Sequence, residues 1–136
     1  MPERKKEIMK NLIIDAVAEK IFLTLIVDEN IYTSQYENSK SNFERLVILV
    51  NKLLIDNKIS INEVKKIYVN RGPGSFAGIR NSLSVVKALH LTKKIDYYSF
   101  SFLDFDRSSK IKYEDVPNLC KKYKIKKNLI KPLFLS

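Results

Sequence analysis

No tryptophan, one cysteine, one histidine and only three glycines occur in this chain of 136 residues, and each scarcity removes a class of function. Cys120 alone cannot close an internal disulfide and has no second thiol with which to hold a metal, so it is expected to pack or to sit on the surface without a task. His90 alone cannot build a two-histidine metal site, and no serine or cysteine stands in a recognisable triad relation to it. Its helical position beside Ile79 and Leu83 makes it a half-buried helix residue. No apolar run approaches the roughly 18 residues of a bilayer span, and Met1 to Glu7 lacks the apolar stretch of a secretory signal. A cytoplasmic protein without membrane contact, metal or cofactor is expected.

What is present is an ordinary globular composition, 45% apolar and 29% charged, with a formal net charge of +10. A chain of this length makes one domain with a real core. The charge is unevenly placed. Residues 107–136 carry nine lysines or arginines against two acids, residues 1–10 carry four against two, and the body between them is nearly neutral. The densest stretch is "CKKYKIKKNLIK", 120–131. A solvated lysine surface is the plain reading, and an electrostatic footprint for RNA on Lys121, Lys122, Lys124, Lys126 and Lys127 is the alternative.

Apolar runs at 11–18 and 21–27, followed by the alternating "IYTSQY" at 31–36, predict a three-stranded antiparallel meander. Residues 43–57 carry Phe43, Leu46, Val47, Val50, Leu53 and Leu54 at helical spacing, which predicts one helix with those residues on its core face. "KIYVN" (66–70) and "IDYYSF" (95–100) predict strands flanking a second helix over 75–91, and so a parallel crossover. A short helix is expected around 115–124, with Pro117 in its first turn, and "LIKPLFLS" closes as an edge strand or along the surface. The fold class is α/β: a mixed five-stranded sheet, three strands antiparallel and then strand, helix, strand in parallel.

All three glycines fall in "RGPGSFAG", 71–78. The spacing G-x-G-x-x-x-G is neither a dinucleotide fingerprint nor a P-loop, since no Gly-Lys-Ser/Thr ends it. Gly72, Pro73 and Gly74 read as a sharp strand-to-helix turn that Ser75 caps, with an anion site at the helix N-terminus as the alternative. Asp15, ending the first strand, is the most notable acid: it caps a turn or meets a lysine, or else serves a metal or base role. On the first helix Ile48 and Ile55 project opposite the core face, alongside Glu44 and Asn51. Val85 and Leu89 lie off the Ile79/Leu83/Val86 stripe of the second, and Gly78 and Ser82 permit close helix approach nearby. Two adjacent helices with spare apolar strips suggest a partner-binding surface.

The stretch "VNRGPGSFAGIRNSLSVVKAL" resembles the signature of the TsaB (YeaZ) family, whose members read G-R-G-P-G-S-F-T-G-L-R before a helix; Arg71, Gly72, Pro73, Gly74, Ser75, Phe76, Gly78 and Arg80 fall in place. "LIIDAVAEKIFLTLI", "NFERLVILVNKLL", "FSFLDF" and "KPLFLS" are similar to further family segments. Asp15-Ala16-Val17 stands where the family has Asp-Thr-Ser, and Asn42-Phe43 where it has His-Ser. The resemblance implies a ribonuclease H-like lobe of the actin and sugar-kinase superfamily over 1–106, a basic segment at 107–136 packing on it, and no second lobe, hence no nucleotide cleft within the chain. It further implies a non-catalytic scaffold for the TsaD enzyme, which threonylcarbamoylates the adenosine beside the tRNA anticodon. A TsaE-like ATPase is a further implied partner, tRNA is engaged indirectly, and the two helices form a bundle with TsaD or a homodimer. The alternatives are a tRNA-binding module built on the basic tail and a nucleotide-binding enzyme remnant using Asp15 and the glycine turn.

Overall fold

A computed structural model describes residues 9–106 and 110–133; the side chain of Phe43 and the final "FLS" of the expected closing segment lie outside the described residues. Five strands form one sheet: β1 (Lys10–Asp15), β2 (Lys20–Val27), β3 (Asn30–Glu37), β4 (Lys66–Asn70) and β5 (Asp96–Phe100), in the order β3-β2-β1-β4-β5. β1 pairs antiparallel with β2 and parallel with β4, and β4 runs parallel to β5. The expected mixed sheet is therefore present, with its direction changing at β1.

Alternation along the strands sends side chains to two cores. Leu12 and Ile14 of β1, Leu23 and Leu25 of β2, and Ile67 and Val69 of β4 face α2 (Leu46–Asp56) and α3 (Phe76–Lys93). Ile13, Tyr68 and Phe100 face the opposite side, where Phe105 and the Val116 and Cys120 side chains of α4 (Val116–Lys122) cover them. The C-terminal segment thus completes the second core. It also covers an edge of the sheet: Asn128 donates its backbone N–H to the Tyr97 carbonyl at 2.8 Å and accepts the Tyr97 N–H on Oδ1 at 3.0 Å. Such pairing blunts an otherwise open strand edge. The opposite edge strand, β3, leaves Ile31 and Tyr32 exposed.

Three expectations need correction. The first apolar run stops being a strand at Asp15, because the Asp15 carboxylate accepts the Val17 N–H at 3.3 Å and turns the chain. The single helix expected over 43–57 is two, α1 (Lys40–Glu44) and α2, separated at Arg45, whose φ of −104° and ψ of 13° leave helical geometry. The buried stripe of α2 is Leu46, Leu49, Val50, Leu53 and Leu54, the i, i+3, i+4, i+7, i+8 pattern of one helix face. Val47 falls just outside that stripe and is 55% exposed, so it belongs to the surface and not to the core. No helix among the described residues is long and apolar enough to cross a membrane.

Candidate functional site

The glycine turn joins β4 to α3, and every part of it is held from outside. Asn70 at the strand end is buried and accepts the Gly72 N–H on its side-chain oxygen at 2.9 Å. Gly72 has a φ of +115°, outside the range of L side chains, and a Cβ there would lie 2.1 Å from the Leu133 carbonyl oxygen. At Gly74 a Cβ would lie 2.2 Å from the Val17 carbonyl oxygen, and that same oxygen accepts the Ser75 N–H at 2.8 Å. The peptide bond between Gly72 and Pro73 is cis. These glycines are required because two remote backbones come within contact distance of the turn.

Arg71 fixes the turn to the rest of the molecule. Its guanidinium donates to Asp104 Oδ1 at 2.7 Å and to the Lys131 carbonyl at 3.0 Å, while its own carbonyl accepts the Leu133 N–H at 2.7 Å. The Asp104 carboxylate also accepts the Ser101 N–H at 2.8 Å, closing a small 3-10 turn over Phe102–Asp104. The closing segment through Leu133 therefore runs along the turn. Ser75 caps α3 as expected, its hydroxyl accepting the Gly78 N–H at 3.3 Å. The Ser75 and Gly78 amides are both committed to protein acceptors.

From that turn α3 runs beside α1 and α2. Ile48, Asn51, Val85 and Leu89 come together with Val47 along a groove of about 270 Å³ between α2 and α3. Val47, Ile48 and Ile55 are 55%, 57% and 63% exposed, and Ile55 lies beyond the groove itself. Glu44 instead lines a second depression of about 500 Å³ with Phe76 and Arg80, where the Phe76 ring is 57% exposed. Gly78 and Ser82 were expected at the partner face, but both are buried in the lobe, and Ser82 donates its hydroxyl to the Ile79 carbonyl at 3.1 Å. Their small size serves helix packing within the chain. Sequence reasoning missed Val47, whose one-residue offset from the buried stripe was the available signal, and Ile61, which a 3-10 turn at Ile61–Glu63 delivers to the groove with no periodic signal at all.

The reactive residue types are engaged structurally. Asp15, 6% exposed, accepts the Tyr113 hydroxyl at 2.6 Å, and burial followed by that carboxylate's charge raises the Tyr113 phenol above its ordinary range. Asp15 therefore caps a turn, as expected, but meets a tyrosine and not a lysine. Cys120 is buried, and burial first, with the Asp104 charge second, pushes its thiol up to about 12. His90 Nδ1 meets the Ile95 carbonyl at 3.0 Å, and its ring packs edge-on to Tyr97. Among the described residues no three of His, Cys, Asp and Glu are grouped so that they could hold a metal ion. Lys121, Lys122, Lys124, Lys126 and Lys127 are all exposed, on and after α4. Lys121 and Lys122 belong to α4, which packs on the face of the sheet away from the α2/α3 groove, whereas Lys127 bridges to Tyr98 at the β5 edge and stands 3.8 Å from Asp96.

A family model described as TsaD, tRNA N6-adenosine threonylcarbamoyltransferase, matches residues 29–105, more than half the chain. The chain is 26% identical over 92 residues to the tRNA threonylcarbamoyladenosine biosynthesis protein TsaB of Buchnera aphidicola subsp. Schizaphis graminum, a match covering 68% of this chain and 44% of that protein. It is 30% identical over 69 residues to the protein of the same name from Buchnera aphidicola subsp. Baizongia pistaciae, covering 51% of this chain and 31% of that one. The chain thus spans less than half the length of these curated relatives. Among solved structures, YeaZ from Pseudomonas aeruginosa superposes with a TM-score of 0.64 at 24% identity, over 68% of this chain and 44% of that chain, a likeness of fold. With the sheet order, the glycine turn and both curated relatives in agreement, the chain belongs to the TsaB (YeaZ) family.

Proposed function

We propose that this chain is a non-catalytic scaffold that docks a TsaD-type threonylcarbamoyltransferase through the α2/α3 face and so supports tRNA threonylcarbamoyladenosine synthesis. The pathway is that of the relatives' names. The observation that carries the docking role is the apolar ridge of Val47, Ile48 and Ile55 beside a groove floored by Val85 and Leu89, on helices whose inner faces already fill the core. Isolated exposed apolar residues are ordinary, but a contiguous strip on two neighbouring helices is what a helix-bundle interface uses. The glycine turn supports this role by fixing where α3 begins. The scaffold reading is further supported by the engagement of Asp15, Cys120 and the turn amides with other parts of the chain.

The test is co-purification of tagged chain with the catalytic protein of the same cell, comparing the unaltered chain with Ile48→Asp plus Ile55→Asp. Fully burying an isoleucine is worth about 1.5–3 kcal/mol, and these two keep more than half their surface outside, so removing both weakens docking by roughly 2–3 kcal/mol before charge is counted. A carboxylate left in an apolar interface adds to that, so a loss exceeding about 100-fold is expected. Both positions are exposed, so the lobe itself stays folded. Unchanged association, with the circular dichroism of the lobe intact, overturns the docking reading. If only self-association in analytical ultracentrifugation were lost, the face would be a homodimer interface instead.

A further inference from the structure

Two depressions share the segment that follows α4, one on the α4 face of the sheet and the other around its β5 edge. The first, about 440 Å³, has Lys66, Lys121 and Lys124 on its walls together with the Tyr98 ring, and no acid among its described lining residues. Tyr98 stacks on Tyr68 with ring centroids 5.1 Å apart, and Lys66 holds its ammonium 5.7 Å from the Tyr98 centroid. The second, about 170 Å³, is lined by Lys124, Lys126 and Lys131 with Arg71 and its partner Asp104. Lys124 and Ile125 belong to both, so the two form one lysine-lined track. Lys66 comes from β4 and the others from beyond residue 120, so only the fold assembles it.

A second observation is independent of charge. Asn11 lines the first depression and Ser99 the second, and they are only 8% and 6% exposed. Asn11 Oδ1 and Ser99 Oγ have no hydrogen-bond partner among the described residues. Buried polar atoms are nearly always satisfied, so these two stand out in the walls of the depressions. A repeated anion explains the lysines, and a ring-bearing unit explains the aromatic wall. We infer that this track binds the sugar-phosphate backbone of a single-stranded nucleic acid, with successive phosphates on the lysines shared around Lys124. The inference stands apart from the scaffold reading, because the track shares no residue with the α2/α3 groove and its test needs no partner.

The test is fluorescence anisotropy of the full chain with a labelled 20-nucleotide single-stranded RNA, and separately with the DNA of the same sequence, across a salt series. Five lysines engaging phosphates give a log–log salt slope of about −3.5, and Lys121→Gln, Lys124→Gln and Lys126→Gln together make it shallower by about 2 while weakening binding at least tenfold at 0.1 M salt. The control, Lys20→Gln, Lys58→Gln and Lys87→Gln, removes the same charge away from the track and is expected to change affinity less than threefold. Tighter binding of RNA than DNA identifies RNA as the ligand, and equal binding identifies any single strand; either supports the site. No binding to either strand, equal losses in the two variants, or displacement by heparin at matched charge as readily as by unlabelled strand each overturns it. A thermal melt of both variants excludes misfolding as the cause of a loss.

Discussion

Replacing Gly74 by alanine tests the central geometric claim, that this glycine exists because the backbone of the β1–β2 loop touches the turn. The added Cβ would sit 2.2 Å from the Val17 carbonyl oxygen and 2.7 Å from the Val17 Cβ, so the two backbones must part by about 1 Å to reach ordinary contact. That movement stretches the 2.8 Å bond from the Ser75 N–H to the Val17 carbonyl at the start of α3. Overpacking of this kind costs about 1–3 kcal/mol, and a weakened hydrogen bond about 1 kcal/mol more. Alanine returns roughly 0.4–1 kcal/mol by restricting the unfolded chain. The expected net loss is about 1.5–3 kcal/mol, which for a chain of this size lowers Tm by roughly 5–10 °C. Urea unfolding and a circular dichroism melt measure it directly. A Tm within 2 °C of the unaltered chain, in a variant with an unchanged urea m-value, would mean instead that the loop yields freely and the close approach constrains nothing.

Other outcomes follow from the same contacts. Ser75→Ala removes the hydroxyl that accepts the Gly78 N–H and should cost about 1 kcal/mol by urea unfolding, with Ser75→Asp restoring most of it; equal stability of the alanine variant would argue against the cap. Cys120, buried and with its thiol pushed up to about 12, should resist a thiol reagent such as 5,5′-dithiobis(2-nitrobenzoic acid) at pH 8 in the folded chain and react fully in urea; fast labelling without denaturant would contradict the burial. Raised folded values at Cys120, Tyr68 and Tyr113 mean that above about pH 9 the folded chain holds more protons than the unfolded one. Stability should therefore fall between pH 9 and 11, by up to about 1.4 kcal/mol per pH unit for each group, and Cys120→Ala should flatten part of that fall. A pH-independent melt over that range would go against it.

Much of the fold was legible because strand and helix periodicities are local. Strict apolar spacing marked the core strands, and "KIYVN" begins and ends where β4 does. Ser75 could be read as a cap because it stands between a turn and a helical pattern. The single helix over 43–57 misled because the break at Arg45 is a small change in dihedral angle with no proline or glycine to announce it. Val47 and Leu49 could not be sorted between core and surface until the helix's rotation against β2 was known.

Five strands and their directions, the family signature and the excess charge at the ends are all written in the sequence. Its three glycines marked a sharp turn but not the reason for it. That reason comes from the folded chain, in which Val17 and Leu133, far away in sequence, bring their carbonyls against Gly74 and Gly72. Folding also set the groove between α2 and α3 and placed Lys66 beside Lys121 and Lys124. Periodicity is written in neighbouring residues and can be read from them, whereas a close approach or a shared surface is a contact between distant segments and exists only once the chain has folded.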